Sequence, residues 1–99
     1  MPDPRIHPVV NVLDTSVLIG AVSTLILPAN LRRVELDLVN DSDEAIYIYR
    51  GEPALMNSGL RLNPEGGSYR MGTNNLYHGA IYGICASGDK NLCVSEGSN

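Results

Sequence analysis

The chain has 99 residues, a formal net charge of −4 and only seven Lys or Arg residues. That argues against a nucleic-acid surface, which needs clustered positive charge to neutralise phosphates. No stretch approaches the ~20 consecutive apolar residues of a membrane-spanning helix, so neither nucleic acid nor membrane is an expected partner. Ninety-nine residues make one domain with a modest core. With no Trp and no Phe, that core must come from aliphatic side chains and Met, leaving the five tyrosines at its margins or at an interface.

Met1–Pro8 reads as an extended arm. Pro2, Pro4 and Pro8 forbid helix and remove ladder donors. The arm is either a loose terminus or a segment that lies on a neighbour, in which case Pro2, Pro4, Arg5, Ile6, His7 and Pro8 are the contact residues. It also lacks a basic stretch followed by an apolar one, so no secretory signal is expected and synthesis in a cytoplasm follows.

Residues 9–99 form the domain. Val9–Leu13, Thr15–Ile19 and Ser23–Leu27 read as short strands, with Gly20-Ala21 as a turn and Pro28-Ala29-Asn30 as a break. Arg32-Arg33 reads as a solvated strand start rather than a phosphate site. From Val34 to Tyr49 the pattern is clearest. Val34, Leu36, Leu38 and Asn40 share one face of a strand, because side chains alternate up and down. The polar cluster Asp41-Ser42-Asp43-Glu44 then separates them from Ile46-Tyr47-Ile48-Tyr49, which predicts a β-hairpin. Within the second strand, Tyr47 and Tyr49 face away from Ile46 and Ile48. If the isoleucines are core, the tyrosines are either covered by a partner or form a core margin with their hydroxyls in water.

Arg50-Gly51-Glu52-Pro53 is a turn, and Ala54–Asn57 is either one helical turn or a loop. Leu60–Leu62 and Ser68–Met71 are short strands around the turn Asn63-Pro64-Glu65-Gly66-Gly67, in which Pro fixes one angle and Gly supplies positive φ. Gly72-Thr73-Asn74-Asn75 is a loop. A last hairpin is predicted from Ala80 to Glu96, pairing Ala80–Ser87 with Asn91–Glu96 across Gly88-Asp89-Lys90. That register sets Cys85 opposite Cys93, within disulfide range, the other reading being two reduced, buried thiols. The whole is an all-β domain, an antiparallel sandwich or barrel of seven or eight short strands behind an extended N-terminal arm.

Chemistry-bearing constellations are sparse. His7 and His78 have no second ligand at metal spacing, and the two thiols lack the further ligands of a zinc site. Asp41 and Asp43 lack the Gly and distal Glu of a calcium loop. Gly66-Gly67 lacks the Lys and helix of a phosphate loop, and no Gly-x-Ser-x-Gly elbow is present. Neither a cofactor nor an enzyme activity is expected.

A longer pattern carries a resemblance. It runs from Leu25-Ile26-Leu27-Pro28-Ala29-Asn30 through Arg33-Val34-Glu35-Leu36-Asp37-Leu38-Val39-Asn40-Asp41-Ser42, Ile46-Tyr47 and Gly51-Glu52-Pro53-Ala54. It continues with Asn57-Ser58-Gly59-Leu60-Arg61-Leu62-Asn63-Pro64-Glu65-Gly66-Gly67-Ser68-Tyr69. It closes on Asn75-Leu76-Tyr77-His78-Gly79-Ala80-Ile81-Tyr82-Gly83-Ile84 and Asn91-Leu92-Cys93-Val94-Ser95-Glu96. This pattern resembles small β-sandwich virion proteins of tailed phages. Its motifs are strands and turns, the arm lies outside it, and the two cysteines do not belong to it. The resemblance implies a structural role in the virion, as a capsid decoration (cement) protein that binds the major capsid protein as a homo-oligomer, with a homotrimer preferred because icosahedral shells offer many threefold positions. A tail- or fibre-associated protein is the alternative within virions. A carbohydrate- or receptor-binding module is another, with Tyr49, Tyr69, Tyr77 and Asn75 as the contact residues.

Overall fold

A computed structural model describes residues 9–72 and 74–99. They form eight strands: β1 (Asn11–Ile19), β2 (Thr24–Leu27), β3 (Arg33–Asn40), β4 (Ile46–Arg50), β5 (Leu60–Leu62), β6 (Ser68–Met71), β7 (Ile81–Cys85) and β8 (Lys90–Ser98). They make a small antiparallel β-sandwich of two four-stranded sheets, ordered β1-β8-β3-β6 and β2-β7-β4-β5. The all-β sandwich is the expected class, and the bounds of β5 and β6 are those the sequence predicts. Val9–Leu13 and Thr15–Ile19 are not two strands. Asp14 continues a single β1, on whose exposed flank its carboxylate accepts a hydrogen bond from the Ser95 hydroxyl at 2.5 Å.

Neither predicted hairpin forms. β3 lies in the first sheet and β4 in the second, so the Asp41–Glu44 turn arches over the core instead of joining neighbours. β7 and β8 are separated in the same way. Only β4 and β5 are both consecutive in the chain and adjacent in a sheet. The reason is that alternation specifies which side chains face the core but not which strand lies alongside. A hairpin and an arch bury the same alternate residues. The arch puts Leu36 and Leu38 of β3 and Ile46 and Ile48 of β4 into one core from opposite sides, all fully buried. Gly83 on β7 leaves room for Ile26 of the adjacent β2, since a Cβ at this position would sit 2.9 Å from Ile26 Cδ1, and Ile19 of the facing sheet closes over the same spot at 3.4 Å.

A buried polar side chain sits at each end of β3, about 24 Å apart at ~3.4 Å per residue. Arg33 opens the strand, turned inward by a bulge between Arg33 and Glu35. It is fully buried, so it is not the solvated strand start that its place beside Arg32 suggests. Its Nε–H donates to Glu96 at 2.6 Å, its Nη1 to the Tyr77 and Gly79 carbonyls, and its Nη2 to the Pro28 carbonyl. Asn40 closes the strand. Its Nδ2 donates to the Glu44 carbonyl at 2.7 Å and the Leu62 carbonyl at 3.0 Å, and its Oδ1 accepts from the Ser42 hydroxyl. A side chain therefore stitches the β3–β4 arch to β5 of the other sheet. Asn40→Ala leaves the Leu62 carbonyl without this donor inside the protein. It is expected to lower stability by about 1–3 kcal/mol, read as a fall in the urea midpoint at unchanged slope. An unchanged midpoint would remove Asn40 from the account of the arch.

Candidate functional site

The outer face of the second sheet carries the tyrosines that the sequence offers to a partner. Tyr47 and Tyr49 on β4 flank Tyr82 and Ile84 on β7, and with Ala45 and Ala54 they form a second, smaller apolar cluster. The chain itself provides the cover. The β4–β5 connection folds back over this face and buries Ala54, whose backbone N–H donates to the Ser23 hydroxyl at 2.9 Å. The Tyr47 hydroxyl donates to Asn57 Oδ1 at 3.1 Å, and the Tyr49 hydroxyl bonds the Ser58 hydroxyl. Asn57 (φ 61°) and Gly59 (φ 79°) bring the chain back into β5, and a Cβ on Gly59 would lie 2.6 Å from the Ile48 carbonyl oxygen. Tyr47 is thereby buried and Tyr49 half-buried. Of the two readings of this face, partner-covered or core margin, the structure shows a margin partly covered by the chain's own nine-residue connection between β4 and β5.

Beside this lid lies a shallow cleft of about 290 Å³ lined by Tyr47, Asn57, Ser58, Gly59 and Arg61. The Arg61 guanidinium stands 6.0 Å from the Tyr47 ring centroid, and its Nε–H donates to Asn63 Oδ1 at 3.1 Å. Several of its polar groups, the Tyr47 hydroxyl, Asn57 Oδ1 and Arg61 Nε–H among them, already have partners within the chain. The same holds in the interior, where no buried side-chain N or O among the described residues lacks a hydrogen-bond partner.

An open acidic hollow of about 590 Å³ adjoins the β3–β4 arch, lined in part by Asp41, Asp43 and Glu65. Asp43 in this hollow and Glu44 next to it in the chain each hold a loop. Asp43 accepts from Lys90 Nζ at 2.7 Å, which lowers the Asp43 pKa and raises that of Lys90. Glu44 accepts from both the backbone N–H and the hydroxyl of Ser87, each at 2.7 Å, and these bonds hold its pKa below the usual carboxylate range. Among the described residues no group of three or more His, Cys, Asp or Glu is placed to hold a metal ion.

The remaining candidates occupy structural positions. His78 Nε2 faces the Arg33 carbonyl at 3.0 Å, and its own carbonyl accepts from the Asn30 N–H. Asn75 caps the chain after β6, accepting from the Gly72 N–H and donating to the Arg70 carbonyl. Tyr69 and Tyr77 pack against the main core while Tyr49 belongs to the outer cluster, so the proposed carbohydrate contacts do not form one cluster.

Cys85 and Cys93 are free thiols, and the disulfide does not form. In the ladders Cys85 lies opposite Ile46, whereas Cys93 lies opposite Ser16 and Val39 of the other sheet. Cys85 is fully buried, donates to the Ile19 carbonyl, and has its pKa raised by that burial. Pro2, Pro4, Arg5, Ile6, His7 and Pro8 lie outside the described residues. The feature that strand-by-strand reading misses is Arg33. Its signal is a single charged residue at the head of the most strongly alternating strand, which burial alone distinguishes from its neighbour Arg32.

Comparison with family models, with characterised proteins and with solved structures finds no match.

Proposed function

We propose that this protein is a structural component of a tailed-phage virion, a decoration (cement) protein that binds the outer face of the capsid shell as an oligomer. It would act by area rather than by chemistry, bridging neighbouring copies of the major capsid protein and adding contacts where pressure from packaged DNA tends to part them. One observation carries the reading. The polar side chains Arg33, Asn40, Glu44 and His78 are engaged in holding loops, while large apolar side chains are presented to solvent. Leu31 is 86 % exposed, Val22 73 % and Val10 70 %. A sandwich whose buried polar side chains are satisfied internally and which exposes apolar side chains suits adhesion to another protein. The resemblance of the pattern from Leu25 to Glu96 to phage virion sandwich proteins supports the same reading.

The test is co-sedimentation of the purified protein with undecorated phage heads, before and after expansion. Saturable binding to expanded heads, in a ratio set by shell symmetry, is expected. Deleting Met1–Pro8 is expected to abolish attachment and leave the fold intact by circular dichroism. A protein that ignores heads of either form overturns the decoration reading in favour of a tail-associated or receptor-binding role. Full occupancy by the truncated chain removes the arm from the mechanism.

A further inference from the structure

Three of the four sheet edges are defended against pairing with another chain, and one is not. β5 has three residues with Arg61 at its centre. β6 has four, with Arg70 bonded to Asp37 at 2.7 Å. β2 has four and carries a register shift between Leu25 and Leu27. Short length, charge and bulges are the usual means of blunting an edge. β1 is different. It is nine residues long, contains no Pro, Lys or Arg, and pairs with β8 in unbroken register from Asn11↔Ser98 to Ile19↔Lys90. Among the described residues nothing pairs with its other side. It exposes apolar side chains on both faces, with Val12 and Leu18 each 61 % exposed and Leu13 47 % exposed. Its single charge is Asp14.

We infer that β1 docks against β1 of a second copy of this chain, antiparallel about a twofold axis at Thr15, joining two four-stranded sheets into one. The register follows from symmetry and charge. Hydrogen-bonded and non-hydrogen-bonded positions alternate along an antiparallel pair, so the twofold axis of two identical strands must pass through a residue pair and not between residues. Centring on Asp14 would set two carboxylates face to face, which is repulsive. Centring on Leu13 or Ser16 would set Asp14 against Val12 or Leu18. Centring on Thr15, the middle residue of β1, pairs all nine residues. Asp14 then faces Ser16, Val12 faces Leu18, Leu13 faces Val17 and the two threonines face each other, a favourable cross-strand pair, with Asn11 against Ile19 confined to the two ends. The strand is self-complementary in this register, as an isologous interface requires. The chain's own Met1–Pro8 is a poorer occupant, because its three prolines have no N–H to give to the ladder. The pairing is argued from β1 alone and does not depend on binding to capsids.

The test is sedimentation equilibrium of the full chain under reducing conditions, with two substitutions at one exposed position. The wild-type protein is expected to have twice the 10.7 kDa protomer mass, in a concentration-dependent equilibrium. Ser16→Asp places two like-charge pairs across the axis and is expected to weaken the dimer roughly tenfold. Ser16→Lys instead sets an ammonium group against Asp14 on each side of the axis and is expected to tighten the dimer by a similar factor. Opposite responses at one position report the Thr15-centred register, which a general surface effect would not produce. A monomer throughout, a threefold mass, a dimer indifferent to both substitutions, or a dimer formed only after deletion of Met1–Pro8 would each overturn the inference.

Discussion

Replacing Arg33 with alanine is expected to lower the free energy of unfolding by about 3–5 kcal/mol. The side chain is fully buried, and the Glu96 carboxylate it meets at 2.6 Å is only 9 % exposed. Removing the cation leaves an uncompensated charge in a low-dielectric site and deprives the Pro28, Tyr77 and Gly79 carbonyls of their donors. The loss reaches beyond one contact. The two loops that Arg33 holds are also joined by the Asn30 N–H to the His78 carbonyl, and Asn30 Nδ2 ties the first of them to the Ser98 hydroxyl at the end of β8. Arg33→Lys keeps the charge but replaces a planar fork of donors with a point charge, so it is expected to recover only part of the loss. The double substitution Arg33→Met with Glu96→Leu removes both charges. It is expected to be markedly more stable than Arg33→Ala, because breaking a buried pair strands one charge whereas replacing both strands none. Denaturant unfolding of the four proteins checks this. If Arg33→Ala unfolds at the wild-type midpoint, or the double variant is the least stable, the ion pair does not hold this end of the sandwich.

What was legible in the sequence follows from what alternation encodes. Ile46 and Ile48 inward with Tyr47 and Tyr49 outward came from a period of two and is the arrangement found. The strands Leu60–Leu62 and Ser68–Met71 came from the Pro-Glu-Gly-Gly turn between them. Partnership between strands was not legible, because the arches after β3 and β7 have the same polar composition as hairpin turns. The difference lies in a long-range contact, such as Asn40 reaching the Leu62 carbonyl 22 positions away. Of the two readings of Cys85 and Cys93, a bridge or two reduced thiols, the bridge needs a hairpin register that an arch does not have, and both thiols are free. The cover over Tyr47 was equally hidden. Ala54 has no distinctive chemistry, and only the length and left-handed turns of its connection bring it onto the sheet.

Leu38→Ala is expected to cost about 2–5 kcal/mol. Leu38 is fully buried on β3, a strand with neighbours on both sides, opposite Tyr69 of β6 and Val94 of β8. The loss has two parts, the apolar surface no longer withdrawn from water and the cavity that the neighbours cannot fill. Collapse is restricted here because Leu36 and Met71 beside it are also fully buried and the facing sheet is pinned through Asn40. The effect therefore belongs in the upper part of that range, and Leu36→Ala is expected to behave alike. Leu38→Met nearly conserves volume and is expected to cost less than about 1.5 kcal/mol. Val39 supplies the control on the opposite face. It is half-buried between Cys93 and Ser68, and Val39→Ala is expected to fall well below Leu38→Ala. For a domain of this size each kcal/mol moves the Tm by about 4–8 °C, so thermal unfolding separates these variants. A large loss at Val39 with none at Leu38 would put the core on the other face of β3, and with it the arch that carries the chain from one sheet to the other.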